Sequence, residues 1–209
     1  MNNRKEPAIV YWLDNTLYLN ITNKCSNNCW FCFRNYKPGI DGFVLALKQE
    51  PTTNQLISEL EATLPSRQWS ELVFCGFGEP TARLNLLLEV TQWVKTHAPM
   101  ITIRLDTNGH GYALNRGREV AAELKAAGMT KVSVSLNGYN EETYSENCKP
   151  SITGGFKAVL EFVRKAKSAG LEVEVSAIRM PEVDLQKIGE ISDALGVQLR
   201  VRDYIPCFW

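Results

Sequence analysis

Three observations predict an α/β fold in which parallel strands, with helices outside them, form a partial barrel. Strand-like and helix-like hydrophobic runs alternate along the chain. Three of the helical runs end at Gly128, Gly170 and Gly196, each a few residues before the next strand, as expected of a left-handed glycine that closes a helix. One side of the readable strands is polar, whereas strands covered by helices on both faces read as nearly continuous apolar sequence. Short connections and regular alternation make neighbouring strands parallel, and a polar inner face predicts a lumen filled by ligand instead of bulky branched side chains. Six strands are too few to close an eight-stranded barrel. The expected architecture is therefore a partial (β/α)6 TIM-like barrel, open on one side and made of a single domain over residues 1–209.

The first strand is read at residues 17–22, and it leads directly into a cysteine-rich loop. Leu56, Ile57, Leu60 and Leu64 then mark one face of a helix, with Thr52 or Thr53 available as its N-cap. Further strands are expected at residues 71–77, 101–108, 131–137, 171–180 and 198–205, with helices between them. In the fourth strand Val132, Val134 and Leu136 share one face, and Ser133, Ser135 and Asn137 share the other. In the third, Ile101, Ile103 and Leu105 oppose Thr102, Arg104, Asp106 and Asn108. The last two strands carry Glu174, Ser176, Arg200 and Arg202 at alternate positions.

Lys and Arg number 23 and Asp and Glu number 23, so no overall field draws the chain to nucleic acid or a membrane surface. Residues 1–15 mix Arg4, Lys5, Glu6 and Asp14 with a few apolar side chains and lack the apolar stretch of a signal peptide. No run approaches the roughly 18 apolar residues of a membrane span, since the apolar helix near Leu86 is interrupted by Glu89 and Gln92. A cytoplasmic location is the expectation, and in that compartment the six cysteines serve metal binding or burial instead of disulfides.

The run Cys25-Ser-Asn-Asn-Cys29-Trp-Phe-Cys32 places three thiols in one short loop after the first strand. Thiolates suit zinc or an iron–sulfur cluster, and such close spacing lets one loop wrap a single centre. Three ligands is the informative number, because structural zinc sites and simple electron-transfer clusters close with a fourth protein ligand while catalytic centres leave a position open.

This spacing resembles the signature of the radical S-adenosylmethionine (radical SAM) enzymes, Cys-x-x-x-Cys-x-x-Cys after the first strand of a partial barrel. The resemblance continues at Cys75-Gly-Phe-Gly78-Glu79-Pro80, similar to the family's Gly-Gly-Glu element except for Phe77 between the glycines, and at Leu105-Asp106-Thr-Asn108-Gly109. Residues 17–34, 73–81, 134–144 and Cys148-Lys-Pro150 further resemble the TatD-linked radical SAM group, named for its association with a TatD-type hydrolase. The resemblance implies the radical SAM core fold and a [4Fe–4S] cluster held by Cys25, Cys29 and Cys32. It also implies S-adenosylmethionine chelated to the fourth iron and cleaved reductively to a 5′-deoxyadenosyl radical that abstracts hydrogen from an unidentified substrate. An external electron donor such as flavodoxin or ferredoxin is implied as well. Phe31 stands where the family places an aromatic residue against adenine. Gly76 and Gly78 would allow close approach to the methionine moiety, and the Gly78-Glu79-Pro80 turn would present acceptors to its ammonium group. Asp106, Asn108, Ser135 and Asn137 are candidates for ribose or carboxylate oxygens, and Arg179 for the methionine carboxylate.

Other residues are not promoted. Cys75, Cys148 and Cys207 lack chelating spacing, with Cys75 expected in the lumen and Cys148 near the rim; His97 and His110 lack ligand spacing; Arg164, Lys165 and Lys167 read as a solvated helix face. Phe208 and Trp209, on the tail after the last strand, are expected to line the open side of the lumen or a partner contact. Two rival functions remain: an activase that installs a glycyl radical on a partner protein, and a non-catalytic zinc or iron–sulfur module.

Overall fold

A computed structural model describes residues 6–204. The elements in chain order are β1 (Val10–Leu13), β2 (Thr16–Leu19), β3 (Gly39–Ile40), β4 (Phe43–Val44), α1 (Thr53–Thr63), β5 (Glu71–Phe74), α2 (Leu84–His97), β6 (Thr102–Thr107), α3 (Gly111–Leu114), α4 (Val120–Ala127), β7 (Lys131–Ser135), α5 (Glu141–Cys148), α6 (Gly155–Ser168), β8 (Glu172–Arg179), α7 (Leu185–Leu195) and β9 (Gln198–Asp203). Seven strands form one sheet in the order β1-β2-β5-β6-β7-β8-β9. The six from β2 to β9 are parallel, matching the predicted partial barrel, and the edge strands β1 and β9 do not pair with each other. The predicted tail at Cys207, Phe208 and Trp209 lies outside the described residues.

Three strands, β1, β3 and β4, were not anticipated from the sequence. β1 pairs antiparallel with β2 through the two-residue loop Asp14-Asn15, and Asp14 adopts a positive φ of 49°. The β3–β4 hairpin turns at Asp41-Gly42, both with positive φ. Asp-Asn and Asp-Gly are the residue types that two-residue hairpin loops require, so both signals were present but lay outside the strand–helix periodicity.

The predicted two-faced strands are observed. Leu72, Phe74, Ile103, Leu105, Val132, Val134, Val175 and Ala177 are buried in the main core with Leu60, Leu87, Val90, Leu124 and Phe162 of the helices. The opposite face carries charge across five strands. Arg104 pairs with Glu71 at 2.7 Å and with Asp106 at 2.8 Å, while Glu174 receives Lys131 at 2.8 Å and Arg200 at 3.2 Å. Thr52 is the N-cap of α1 and forms a reciprocal capping box with Gln55. Gly128, Gly170 and Gly196 all take positive φ at helix ends, as their positions predicted. No helix among the described residues is long and apolar enough to cross a membrane.

Candidate active site

The cysteine loop begins where β2 stops pairing, at the C-terminal ends of the parallel strands, the end at which barrel enzymes build their sites. Buried Asn20 fixes its start. Its Nδ2 donates to the carbonyls of Ala8 (3.0 Å) and Leu45 (2.8 Å), and its Oδ1 accepts from the Phe77 amide (2.9 Å). The turn after β5 is thereby laid against the loop, and the Glu79 amide donates to the Lys24 carbonyl at 2.7 Å. Cys25, Cys29 and Cys32 are partly exposed, and a tight turn joins the last two through the Cys32 amide and the Cys29 carbonyl at 3.1 Å.

Between the first two cysteines, Ser26 and Asn27 are buried and held by a polar network of side chains. The Ser26 hydroxyl meets His110 Nδ1 at 2.9 Å, His110 Nε2 meets the Tyr144 hydroxyl at 3.0 Å, and Asn27 Nδ2 donates to that hydroxyl at 3.0 Å. Burial pushes His110 down to about 4, so it is neutral at pH 7, with one ring nitrogen donating and the other accepting. Asn108 Nδ2 donates to Ser26 Oγ at 2.9 Å and approaches Cys25 Sγ at 3.8 Å, while the Asn27 amide reaches the same sulfur at 3.4 Å. His110 is thus no ligand, yet it stands at the centre of the loop's support. Sequence spacing did not reveal this, because its partners lie 34 and 84 residues away.

Several predicted cofactor contacts are occupied by the protein itself. Glu79 Oε1 accepts from the Thr81 amide (3.0 Å), the Thr81 hydroxyl (2.7 Å) and the Thr107 hydroxyl (2.7 Å), and Oε2 accepts from the Asn108 amide (2.7 Å). Burial raises its pKa and these donors oppose the rise. What the Glu79 turn offers outward is backbone. The glycine requirement also has an internal cause: a Cβ on Gly76 would lie 2.2 Å from Asn20 Oδ1, and one on Gly78 would lie 2.4 Å from the Lys24 carbonyl oxygen. Asn137 is buried, accepting from the Ile178 amide at 2.9 Å through Oδ1 and from Asn147 Nδ2 through its carbonyl.

Asp106 faces the lumen beside Arg104, and Ser135 accepts from Arg202 Nη2 at 3.4 Å. Phe31 packs in the core, edge-on to Trp30. Arg179 has the helix-side parity of Ala177 and is exposed, paired with Asp203 at 3.1 Å. Burial pushes the Cys75 thiol up to about 12, near Asp106 in the lumen as expected. Cys148 is buried, and its thiol contacts that of Cys29; this contact first, and burial second, raise the pKa of Cys29. His97 stacks on Trp93 at the far end of α2. Lys165 pairs with Glu161 and Glu119 on the outer helix face.

Among the described residues, no three His, Cys, Asp or Glu side chains converge as a cage for a single ion. A four-iron cube instead takes its thiolates at separate corners, and three soft ligands on one loop fit it, with two N–H donors already aimed at Cys25 Sγ.

A family model described as the radical SAM superfamily matches residues 19–195. A curated relative named "Probable GTP 3',8-cyclase" from Thermococcus kodakarensis is 32% identical over 152 residues, covering 72% of this chain and 43% of the relative. The GTP 3',8-cyclase of Corynebacterium glutamicum strain R is 29% identical, covering 91% of this chain and 49% of its own length. The chain spans about half the length of the curated relatives it matches, or less. Among solved structures, native anSMEcpe with bound AdoMet superposes with a TM-score of 0.64 at 19% identity, covering 90% of this chain and 50% of that one. SuiB of Streptococcus suis gives 0.68 at 13%, covering 92% and 40%, and both likenesses bear on the fold alone. With the family model spanning most of the sequence and the cysteine loop standing at the strand ends of a partial barrel, this chain belongs to the radical SAM superfamily.

Proposed function

We propose that this protein is a hydrogen-abstracting radical enzyme, acting in the cytoplasm as a single domain, in which Cys25, Cys29 and Cys32 hold a [4Fe–4S] cluster. When bound, the cluster and S-adenosylmethionine supply reductive cleavage of the sulfonium bond and a 5′-deoxyadenosyl radical that takes hydrogen from the substrate. The observation that carries the reading is the placement of three partly exposed thiols over a polar lumen at the C-terminal strand ends.

The chain's own residues have distinct tasks in this reading. Asn108 and the Asn27 amide lend hydrogen-bond donors to the Cys25 sulfur. Glu79 locks the turn after β5 so that the Gly76–Gly78 backbone presents carbonyls toward the methionine ammonium. Asp106, Ser135, Asn137 and Phe31 remain the proposed surroundings of ribose, carboxylate and adenine. Arg179 is the weaker candidate for the carboxylate, because it faces outward onto Asp203.

The finer assignment to the TatD-linked group has support in space. Tyr144 touches Asn27, the Cys148 carbonyl accepts from the Asn28 amide, and Pro150 bridges Asn27, so the segments that carry that resemblance meet at the cysteine loop. A functional link to a TatD-type hydrolase and an external flavodoxin or ferredoxin donor belong to the same proposal. GTP is the first substrate to test, since the relatives are GTP 3',8-cyclases. The glycyl-radical activase and the non-catalytic metal module have no comparable observation in their favour.

The test is anaerobic reconstitution followed by reduction in the presence of S-adenosylmethionine. About four irons per chain and release of 5′-deoxyadenosine are expected. Alanine at Cys25, Cys29 or Cys32 should abolish both, and iron retained in any of those variants would reassign the ligands.

A further inference from the structure

The ion pairs of the inner face leave one cation over. Arg104 stands between Glu71 and Asp106, Lys131 between Glu172 and Glu174, and Arg200 meets Glu174. Leu199 packs on the core and strand residues alternate, so Gln198, Arg200 and Arg202 face inward from β9. Arg202 lies one pleat nearer the C-terminal strand ends than Arg200. Among the described residues it forms no ion pair, and its hydrogen bonding is limited to Nη2, which donates to the Ser135 hydroxyl at 3.4 Å. Its Nε is buried and has no acceptor there. A half-buried guanidinium without a counter-charge is costly, and a buried donor without an acceptor adds to that cost.

The vacant donors suit an oxyanion. Nε and Nη2 form one edge of the guanidinium, and their parallel N–H groups match two oxygens of a carboxylate or phosphate. To reach Ser135 on β7 the side chain crosses β8, where the residue opposite Ser135 is Ser176, small and buried. The contact to Ser135 is longer than a strong hydrogen bond, so an anion takes Nη2 without displacing a good partner. Position separates this group from the cofactor residues. The cysteine loop follows β2, and the Glu79 and Asn108 that support it follow β5 and β6, whereas β9 is the opposite edge of the parallel strands. We propose that Arg202 anchors the substrate through an oxyanion, a carboxylate or phosphate group that accepts from Nε and Nη2. The Ser135 hydroxyl is a further donor to the same group. The site stands on its own geometry, and only the assignment of its anion to a substrate rests on the radical-enzyme reading. GTP meets the requirement through its phosphates, and a substrate without an acidic group does not.

The test titrates inorganic phosphate and, separately, acetate into the full chain, with chloride at equal ionic strength as the control. The chain is used both reconstituted with its cluster oxidised and free of iron, first without and then with S-adenosylmethionine. Binding is read by NMR from the Arg202 Nε–H resonance, identified by its loss in Arg202→Lys, and from the Ile178 and Val201 amides. Phosphate or acetate should shift these signals saturably while chloride does not, a response to phosphate alone naming a phosphate ester and one to acetate alone a carboxylate. Arg202→Lys, which keeps the charge but loses the fork, and Arg202→Met should both weaken binding about tenfold or more. Arg164→Met, on the outer face of α6, should bind as wild type does. No saturable shift with either anion, or an equal shift with chloride, overturns the site. If S-adenosylmethionine alone shifts the Arg202 signal and blocks both anions, Arg202 belongs to the cofactor and its assignment to substrate is overturned. If the chain takes up no iron, it is the radical-enzyme reading that fails, and the iron-free titration still decides the site.

Discussion

Asn108 shows how one side chain links strand, loop and sulfur. Its amide donates to Glu79, its Oδ1 accepts from the His110 amide at 3.0 Å, and its Nδ2 reaches Ser26 and Cys25. Asn108→Ala leaves buried groups without partners, a loss of about 1–3 kcal/mol of stability. It also removes an N–H donor that favours the electron-rich reduced cluster, so the reconstituted variant should have a more negative reduction potential at unchanged iron content. An unaltered potential in spectroelectrochemical titration would remove Asn108 from the sulfur's surroundings. His110 gives a prediction in pH. Its folded value of about 4 lies below the ordinary 6.5, so the folded state resists protonation. Its contribution to stability is intact above about pH 6.5 and declines as the pH falls toward 4, by about 3 kcal/mol in full. Glu79 acts in the opposite sense, because its raised pKa favours protonation in the folded state. The check therefore compares wild type with His110→Gln by thermal denaturation at pH 7 and pH 4.5. Wild type should lose more stability between the two, and parallel losses would contradict the assignment.

At the scale of elements, the turn after β5 is set by what its glycines touch. Gly78→Ala drives a methyl group to 2.4 Å from one backbone carbonyl oxygen and 2.6 Å from another, Lys24 and Thr22, where no flexible side chain can yield. The strain should cost about 1–3 kcal/mol or more and displace the start of the cysteine loop, lowering both melting temperature and iron uptake. Gly189→Ala is the contrasting case, because a Cβ in α7 meets only Leu199 Cδ2 at 3.9 Å and should stabilise the helix by about 0.5–1 kcal/mol. Equal effects of the two substitutions in calorimetry would refute this account. The elements were readable from sequence to the extent that they obey one period. The six parallel strands, the Thr52 cap and the three helix-closing glycines did so. β1 and the β3–β4 hairpin escaped because their signal is a dipeptide turn at Asp14-Asn15 and Asp41-Gly42. The cysteine loop was legible because its ligands are local. Its support by His110, Tyr144 and Asn147 was not, because those contacts join residues 84 to 117 positions apart.

Over the whole molecule, the inner face of the sheet is polar, but its charges answer one another across strands. Glu71, Arg104 and Asp106 join β5 to β6, and Lys131, Glu174 and Arg200 join β7 to β9. The lattice lets a partial barrel, whose β1 and β9 edges do not pair among the described residues, keep ionised groups on its inner face. Arg104 is its most enclosed cation, with a side chain 10% exposed and two carboxylates within 2.8 Å. Arg104→Met therefore leaves Glu71 and Asp106 facing each other in partial burial, and breaking such a pair from one side costs about 3–5 kcal/mol. Arg179→Met removes a pair whose side chains are 65% and 87% exposed, which is worth about 0–1 kcal/mol. Adding Asp106→Asn to Arg104→Met should recover part of the loss, because the second change removes one of the stranded charges. Urea denaturation of the single and double variants measures all three values. If Arg104→Met proved no more costly than Arg179→Met, the lumen would be wet enough to screen its own charges, and the lattice would have no part in holding the sheet.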